Sequence, residues 1–180
     1  MMDFFEISTK RYSHKGKYLA EAVPLSDLEK IAQSGIEAPC GNNRQSIRLI
    51  ILPDRAAVAP LHAAVPAGQP METAPAAIAV LTDGTVPRVL PQIDFDKEDY
   101  AAAVENMLLA AVSLGYVSVW LDSPYWSEEK QSAALKALGA PDTHHLWAVL
   151  PIGKPDGEGA RREKIPYAER VFYGTYGKQK

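Results

Sequence analysis

The chain has 180 residues and a formal net charge of −3, so it can bury a substantial core without a stapling disulfide or metal. Its one cysteine, Cys40, excludes an internal disulfide framework and any zinc pattern, and the slight acidity argues against nucleic acid or anionic membranes as bulk partners. No segment reaches the ~18 uncharged apolar residues of a membrane span, and the start MMDFFEIS is acidic where a signal peptide is basic; a cytoplasmic chain forming one domain over 1–180 is expected.

Asp3 can cap a short helix carrying Phe4, Phe5 and Ile7. The run Lys10–Lys17, KRYSHKGK, then packs five possible cations into eight positions, a pattern that also suits a solvated face. Ser26-Asp27-Leu28-Glu29 has the form of a capping box opening a helix that runs to Gly35, with Leu28, Ile31 and Ala32 inward. The loop Ala38–Arg48, APCGNNRQSIR, offers Gly41, Asn42 and Asn43 for left-handed backbone, and a strand Leu49–Leu52 follows. A helix Asp54–Ala64 and a strand Ala76–Leu81 come next. The stretches Pro66–Pro75 and Asp83–Asp96 read as loops between elements.

The stretch Asp99–Asp122, DYAAAVENMLLAAVSLGYVSVWLD, organises the rest. From Tyr100 to Gly115 the clearly polar residues are Glu105, Asn106 and Ser113, which fall in one narrow sector at helical spacing. Asp99 is placed as N-cap and Gly115 as the stop. Val117, Val119 and Leu121 then alternate with Ser118, Trp120 and Asp122, as in a strand. An apolar face this wide needs cover on two sides. Either the chain wraps the helix itself, or a second subunit does.

Ser127-Glu128-Glu129 opens a further helix that stops at Gly139-Ala140-Pro141. His145–Pro151 reads as a fourth strand, and the tail from Gly153 has no strong period. Alternating helices and short apolar strands indicate an α/β or α+β layered fold. The long connections by themselves point to a doubly wound parallel sheet.

Several tempting patterns fail. Gly153–Gly159, GKPDGEG, lacks both nucleotide-loop fingerprints; His144-His145 has no third metal ligand at sensible spacing; G-x-S-x-G and H-E-x-x-H are absent. Cys40 has no nominated base. Three polar segments remain. Arg11, Ser13 and Lys15 place a hydroxyl and two cations at alternate positions, and Arg162 and Lys164 add two cations near the far end. Such groups can converge on a phosphate through charge-assisted hydrogen bonds, roughly twice as strong as neutral ones. Asn43 and Gln45 carry amides able to read the edge of a heterocycle. Together they describe a ligand with a phosphate at one end and a polar ring at the other.

In that order the segments resemble the nitroreductase family of FMN-dependent oxidoreductases. KRYSHK is similar to the family's R-x-S-x-[RK], and APCGNNRQSIR to its A-P-S-x-x-N-x-Q-P-W-R loop. AVENMLLAAVSLGYVSVWL, Ala103–Leu121, resembles A-x-Q-N-x-x-L-A-A-x-x-x-G and the following strand; LPIGKP, Leu150–Pro155, resembles L-x-x-G-x-P before a basic pair. The resemblance implies an α+β fold: a three-layer α-β-α sandwich with a central mixed, largely antiparallel sheet. It implies FMN, with Arg11, Ser13, Lys15, Arg162 and Lys164 at the phosphate and ribityl chain, Lys15 also near the ring, and Cys40, Asn43 and Gln45 along the ring or its side chain. The backbone around Leu121 and Asp122 would present an amide to the flavin N5.

The same resemblance implies a homodimer through the 99–115 helix with FMN between subunits. It also implies a ping-pong reaction from NAD(P)H to a small acceptor, nitroaromatic- or quinone-like, with the chemistry centred on the flavin. An FMN-binding module without rapid turnover, or a relative that fragments flavin, dehalogenates or oxidises azolines, stands as the alternative. The chain departs from the pattern at Cys40, usually serine, at Ser46-Ile47 in place of Pro-Trp, at Glu105 in place of glutamine, and at His14 and Gly16 in the first motif. Little chain lies between Leu81 and Asp99 to form the helical cover common in the family.

Overall fold

A computed structural model describes residues 2–159 and 161–180. Six helices, α1 (Phe4–Lys10), α2 (Leu25–Ile36), α3 (Arg55–Ala64), α4 (Gln69–Thr73), α5 (Asp96–Ser113) and α6 (Glu128–Leu138), surround four strands. The strands are β1 (Ile47–Leu52), β2 (Ala76–Asp83), β3 (Val117–Ser118) and β4 (His144–Gly153), in the order β1-β2-β4-β3. Each neighbouring pair is antiparallel, and one parallel bridge, Ser13 to Ser118, makes the sheet mixed. The doubly wound parallel reading is therefore wrong. Connection length permits crossovers without requiring them.

β2 explains the layering. It is buried on both faces from Ala76 to Thr82, so helices must cover both sides. Ala76, Ile78 and Val80 pack with Leu28 and Ile31 of α2 and Val104, Met107 and Ala111 of α5. Ala77, Ala79 and Leu81 pack with Val58 and Leu61 of α3 and Ala134 and Leu135 of α6. That is the three-layer α-β-α sandwich. Along β4, Val80 pairs with Ala148 but Leu81 with Leu146, so Trp147 is an extra residue in a β-bulge. The bulge puts Leu146 and Ala148, which a regular strand would hold on one face, into opposite cores. It also aims Trp147 onto Tyr100, stacked at 4.7 Å between centroids, with its Nε1 donating to Thr82 Oγ1 at 2.8 Å.

Local signals set several ends as expected. Asp3 and Glu6 form a reciprocal capping box on α1; Asp54 caps α3; Ser127 caps α6, which stops at Gly139 with φ 65°. Four expectations change. The Ser26 box is not used: α2 starts at Leu25, with Pro24 as N-cap and its carbonyl accepting from Asp27 and Leu28. The Pro66–Pro75 stretch holds α4, whose Pro70 lies in the first turn, where its missing N–H costs nothing. α5 begins at Asp96, so Asp99 is no cap but a buried residue within the helix.

β3 is the fourth. The ladder of Val117 with Gly153 and Ser118 with Ile152 would next require Pro151, which has no N–H. Pairing resumes in the same register only at Leu121 and Val149.

α5 is largely wrapped by its own chain. Ala103, Val104, Met107, Leu108 and Ala111 are buried, and a Cβ on Gly35 of α2 would come within 2.9 Å of Met107 Cγ, so the two helices touch closely. Ala101, Ala102, Leu109 and Ala110 are left half-buried, and Glu105 is exposed. Among the described residues no helix is long and apolar enough to cross a membrane.

Candidate functional site

The N-terminal basic run is fastened to the chain that leaves β4. After α1 the backbone extends; Ser13 bridges Ser118, and the His14 N–H donates to the Ser118 carbonyl at 3.0 Å. His14 is buried, its Nε2 2.8 Å from the Lys17 carbonyl and its ring edge-on to Tyr18 at 4.8 Å. The imidazole is thus a strut for the turn. Tyr18 bridges Pro155, Leu19 N–H donates to the Lys154 carbonyl, and Asp156 N–H donates to the Lys17 carbonyl at 2.8 Å. These bonds bring the far basic segment alongside the near one.

The result is a cavity of ≈ 480 Å³ lined by Arg11, Ser13, Lys15, Arg162 and Lys164, together with Tyr12, Arg161, Asp156 and Glu158. Arg11, Lys15, Arg161, Arg162 and Lys164 make five cations against the two carboxylates Asp156 and Glu158, in a chain whose overall charge is negative. Arg11 Nε lies 3.5 Å from Glu105 Oε1, and Arg161 donates to the Thr9 carbonyl at 2.9 Å. Among the described residues no salt bridge engages Lys15, Arg162 or Lys164. Tyr12 packs where a side chain on Gly159 would lie, so only glycine lets the loop approach that wall. Concentrated, unneutralised cations beside a hydroxyl suit an oxyanion with several acceptor oxygens.

Cys40, Asn43 and Gln45 line a different cavity, of ≈ 500 Å³, with Asp99, Arg48 and Ala103. It shares no lining residue with the basic one. Its loop contains a tight turn, Gly41–Asn43, and left-handed backbone at Asn42 (φ 53°), Asn43 (φ 54°) and Gln45 (φ 52°). Arg44 ties it down through Asp96 Oδ1 (3.1 Å) and the carbonyls of Pro87 (3.0 Å) and Val86 (3.3 Å). Burial, with Asp94 adding to it, raises the Asp96 carboxyl above its ordinary range although Arg44 pulls the other way. The Cys40 thiol accepts the Gln45 N–H at 3.4 Å, so it serves the loop's own backbone.

Leu121 and Asp122 line neither cavity. Leu121 N–H is spent on the Val149 carbonyl at 3.2 Å. Asp122 N–H has no partner among the described residues, while its carboxylate accepts from Ser123 N–H at 2.6 Å. Of the two amides, Asp122's is the one left available. Sequence reasoning passed over Arg161, Tyr12 and Gly159, although Arg161 abuts Arg162 and was within reach. It read Asp99 as a helix cap. No group of three or more metal ligands occurs among the described residues.

The profile of the nitroreductase family matches residues 9–154, more than three quarters of the chain. The chain belongs to the nitroreductase family. It is 36% identical over 141 residues to a protein of Archaeoglobus fulgidus provisionally named an NADH dehydrogenase/NAD(P)H nitroreductase, covering 78% of this chain and 79% of that one. Its fold superposes on a provisionally named nitroreductase of Desulfovibrio desulfuricans, solved in complex with FMN, with a TM-score of 0.81 at 26% identity, covering 98% and 99% of the two chains. A nitroreductase family protein of Clostridium difficile gives a TM-score of 0.78 at 28% identity, covering 97% and 99%. These likenesses agree with the three-layer α+β fold.

Proposed function

We propose that residues 1–180 form one FMN-binding domain of a cytoplasmic oxidoreductase that passes hydride and electrons from NAD(P)H to a small organic acceptor, nitroaromatic- or quinone-like, in ping-pong order. One observation carries the reading: cations from opposite ends of the chain converge with Ser13 on one cavity. The donor set fits a phosphate monoester, with Arg11, Arg162 and Lys164 as charged partners, Ser13 as hydroxyl partner, and Lys15 reaching toward the ring. Asp156 and Glu158 oppose a dianion, and the surplus of cations outweighs them.

FMN, when bound, supplies the hydride and electron chemistry. The protein binds, orients and tunes. Asn43 and Gln45 would hold the ring edge through their amides, and the Asp122 N–H, unpartnered among the described residues, would serve as the donor to the flavin N5. Lys15 places a fixed positive charge where negative charge develops on reduction, a preorganised electrostatic effect. The basic cavity and the amide-bearing loop share no lining residue within one chain. That separation supports a homodimer through α5 in which each subunit's loop completes the other's site. A half-buried stripe on α5 is available for the contact.

The test is spectroscopic. Purified protein supplied with FMN should retain a flavin spectrum that bleaches on anaerobic addition of NADH or NADPH and returns with a quinone. A stable yellow protein that ignores both donors would favour a binding module, and a protein that fails to take up FMN would overturn the cofactor reading.

A further inference from the structure

The loop bearing Asn43 and Gln45 is held by a carboxylate that its helix does not need. Asp99 lies in the first turns of α5 and is 2% exposed. Its Oδ1 accepts the Gly41 N–H at 2.6 Å, whereas its Oδ2 is buried without a hydrogen-bond partner among the described residues. An orphaned buried oxygen costs stability, and such atoms in native proteins call for an explanation. The helix N-terminus favours negative charge, but Asp96 and Glu98 already supply it there. Helix stability alone does not account for Asp99 pointing at Gly41.

The loop accounts for it. Three non-glycine residues, Asn42, Asn43 and Gln45, take left-handed backbone within four positions. Asparagine tolerates that region; glutamine adopts it less readily. Such a run persists only where its surroundings over-determine it. Arg44 fixes the middle, through Asp96 and two carbonyls. At the start, the Phe95 ring fills the space where a Gly41 side chain would lie, and the Asp99 carboxylate takes the Gly41 amide. A bond this short to a carboxylate oxygen suits a loop under strain.

We propose that Asp99 is a positioning residue for the ring-side half of the site: by clamping the Gly41 amide it holds Asn43 and Gln45 in the backbone conformation from which they meet the isoalloxazine ring. This rests on the FMN reading above. A mere first-turn acid would affect folding stability and leave the folded protein's affinity alone.

The experiment compares FMN and riboflavin affinities, with amide exchange at Gly41 as a readout needing no ligand. Wild type that binds neither flavin defeats the FMN reading itself. If wild type binds, Asp99→Ala should weaken FMN and riboflavin by the same factor, about tenfold or more, and speed exchange at Gly41. Asp99→Asn keeps an acceptor for Gly41 and should bring both affinities back to within about threefold of wild type. Wild-type affinity in folded Asp99→Ala, a loss confined to FMN, or an Asp99→Asn as weak as the alanine variant each overturns the proposal. Should Asp99→Ala fail to fold, Gly41→Ala substitutes for it, because the added methyl meets the Phe95 ring and must shift the loop. Equal weakening of both flavins there, together with faster amide exchange at residue 41, supports the clamp, and unchanged binding overturns it.

Discussion

Arg11, which lines the basic cavity, is paired with Glu105 of α5, Nε to Oε1 at 3.5 Å. Glu105 stands where the resemblance expects glutamine, so a half-exposed carboxylate competes with any anion for this guanidinium. Exposed pairs are weak, typically ~0.2–1 kcal/mol. Glu105→Gln should therefore tighten FMN by about two- to fivefold, with riboflavin unchanged. Equilibrium titration at low salt reads the difference, and looser FMN binding in the variant would show that Glu105 helps place Arg11.

The phosphate assignment has a sharper test. Arg162→Ala removes one of the cations that no salt bridge engages among the described residues. A hydrogen bond to a charged group contributes about 1.5–3 kcal/mol, so FMN should weaken roughly 10- to 150-fold. Riboflavin, lacking the phosphate, should bind as before. Surface charge with no ligand role predicts equal, unaltered affinities for both.

Much of the frame was legible because it is local. Asp3, Ser127 and Gly139 set helix ends within a few residues of themselves, and those readings match the structure. Where a partner distant in sequence decides, local reading failed. Pro151 on β4 interrupts the strand that Val117–Leu121 spells, and Trp147 shifts a register that no pattern announces. Ser26 has the right spacing for a cap, but Pro24, one residue before α2, fixes the entry first. The parallel sheet was inferred from connection length, which does not fix strand direction. The residue types of the two basic segments suggest a shared phosphate, but their meeting depends on the Tyr18–Pro155 bridge and its neighbours, which no local pattern announces. Asp99 has the local look of a cap, but its partner Gly41 lies 58 residues away, beyond the reach of any local pattern.

His145 gives a pH dependence. Its ring is exposed on one side and packs on Trp147 at 4.3 Å on the other; that partial desolvation disfavours the charged form and lowers its pKa from 6.5, although Asp96 pulls the other way. The unfolded chain thus binds the proton more readily than the folded one. The stabilisation from keeping the ring neutral is fully present above the unfolded value and is lost as pH falls below it. Between about pH 8 and about pH 5 the urea midpoint of wild type should drop more than that of His145→Gln. Parallel profiles would show that His145 titrates as a solvent-exposed imidazole.

Dimerisation turns on which face of α5 is free. Leu108 and Ala111 are buried in the chain's own core, so charge at either would unfold the subunit and say nothing about assembly. Ala102 and Leu109 are half-buried and lie on one face, seven residues apart. Leu109→Asp should leave the subunit folded but place an unpaired charge in the proposed contact, a cost of several kcal/mol if it stays dry. The dimer should then dissociate more than a hundredfold more readily, read by sedimentation at micromolar concentration. FMN affinity should fall with it, since the basic cavity and the amide loop that complete one site would no longer face each other. Far-ultraviolet circular dichroism separates that result from misfolding. A wild-type protein that sediments as a folded, flavin-loaded monomer would remove the basis for a shared site, and both halves would then have to close on FMN within one chain.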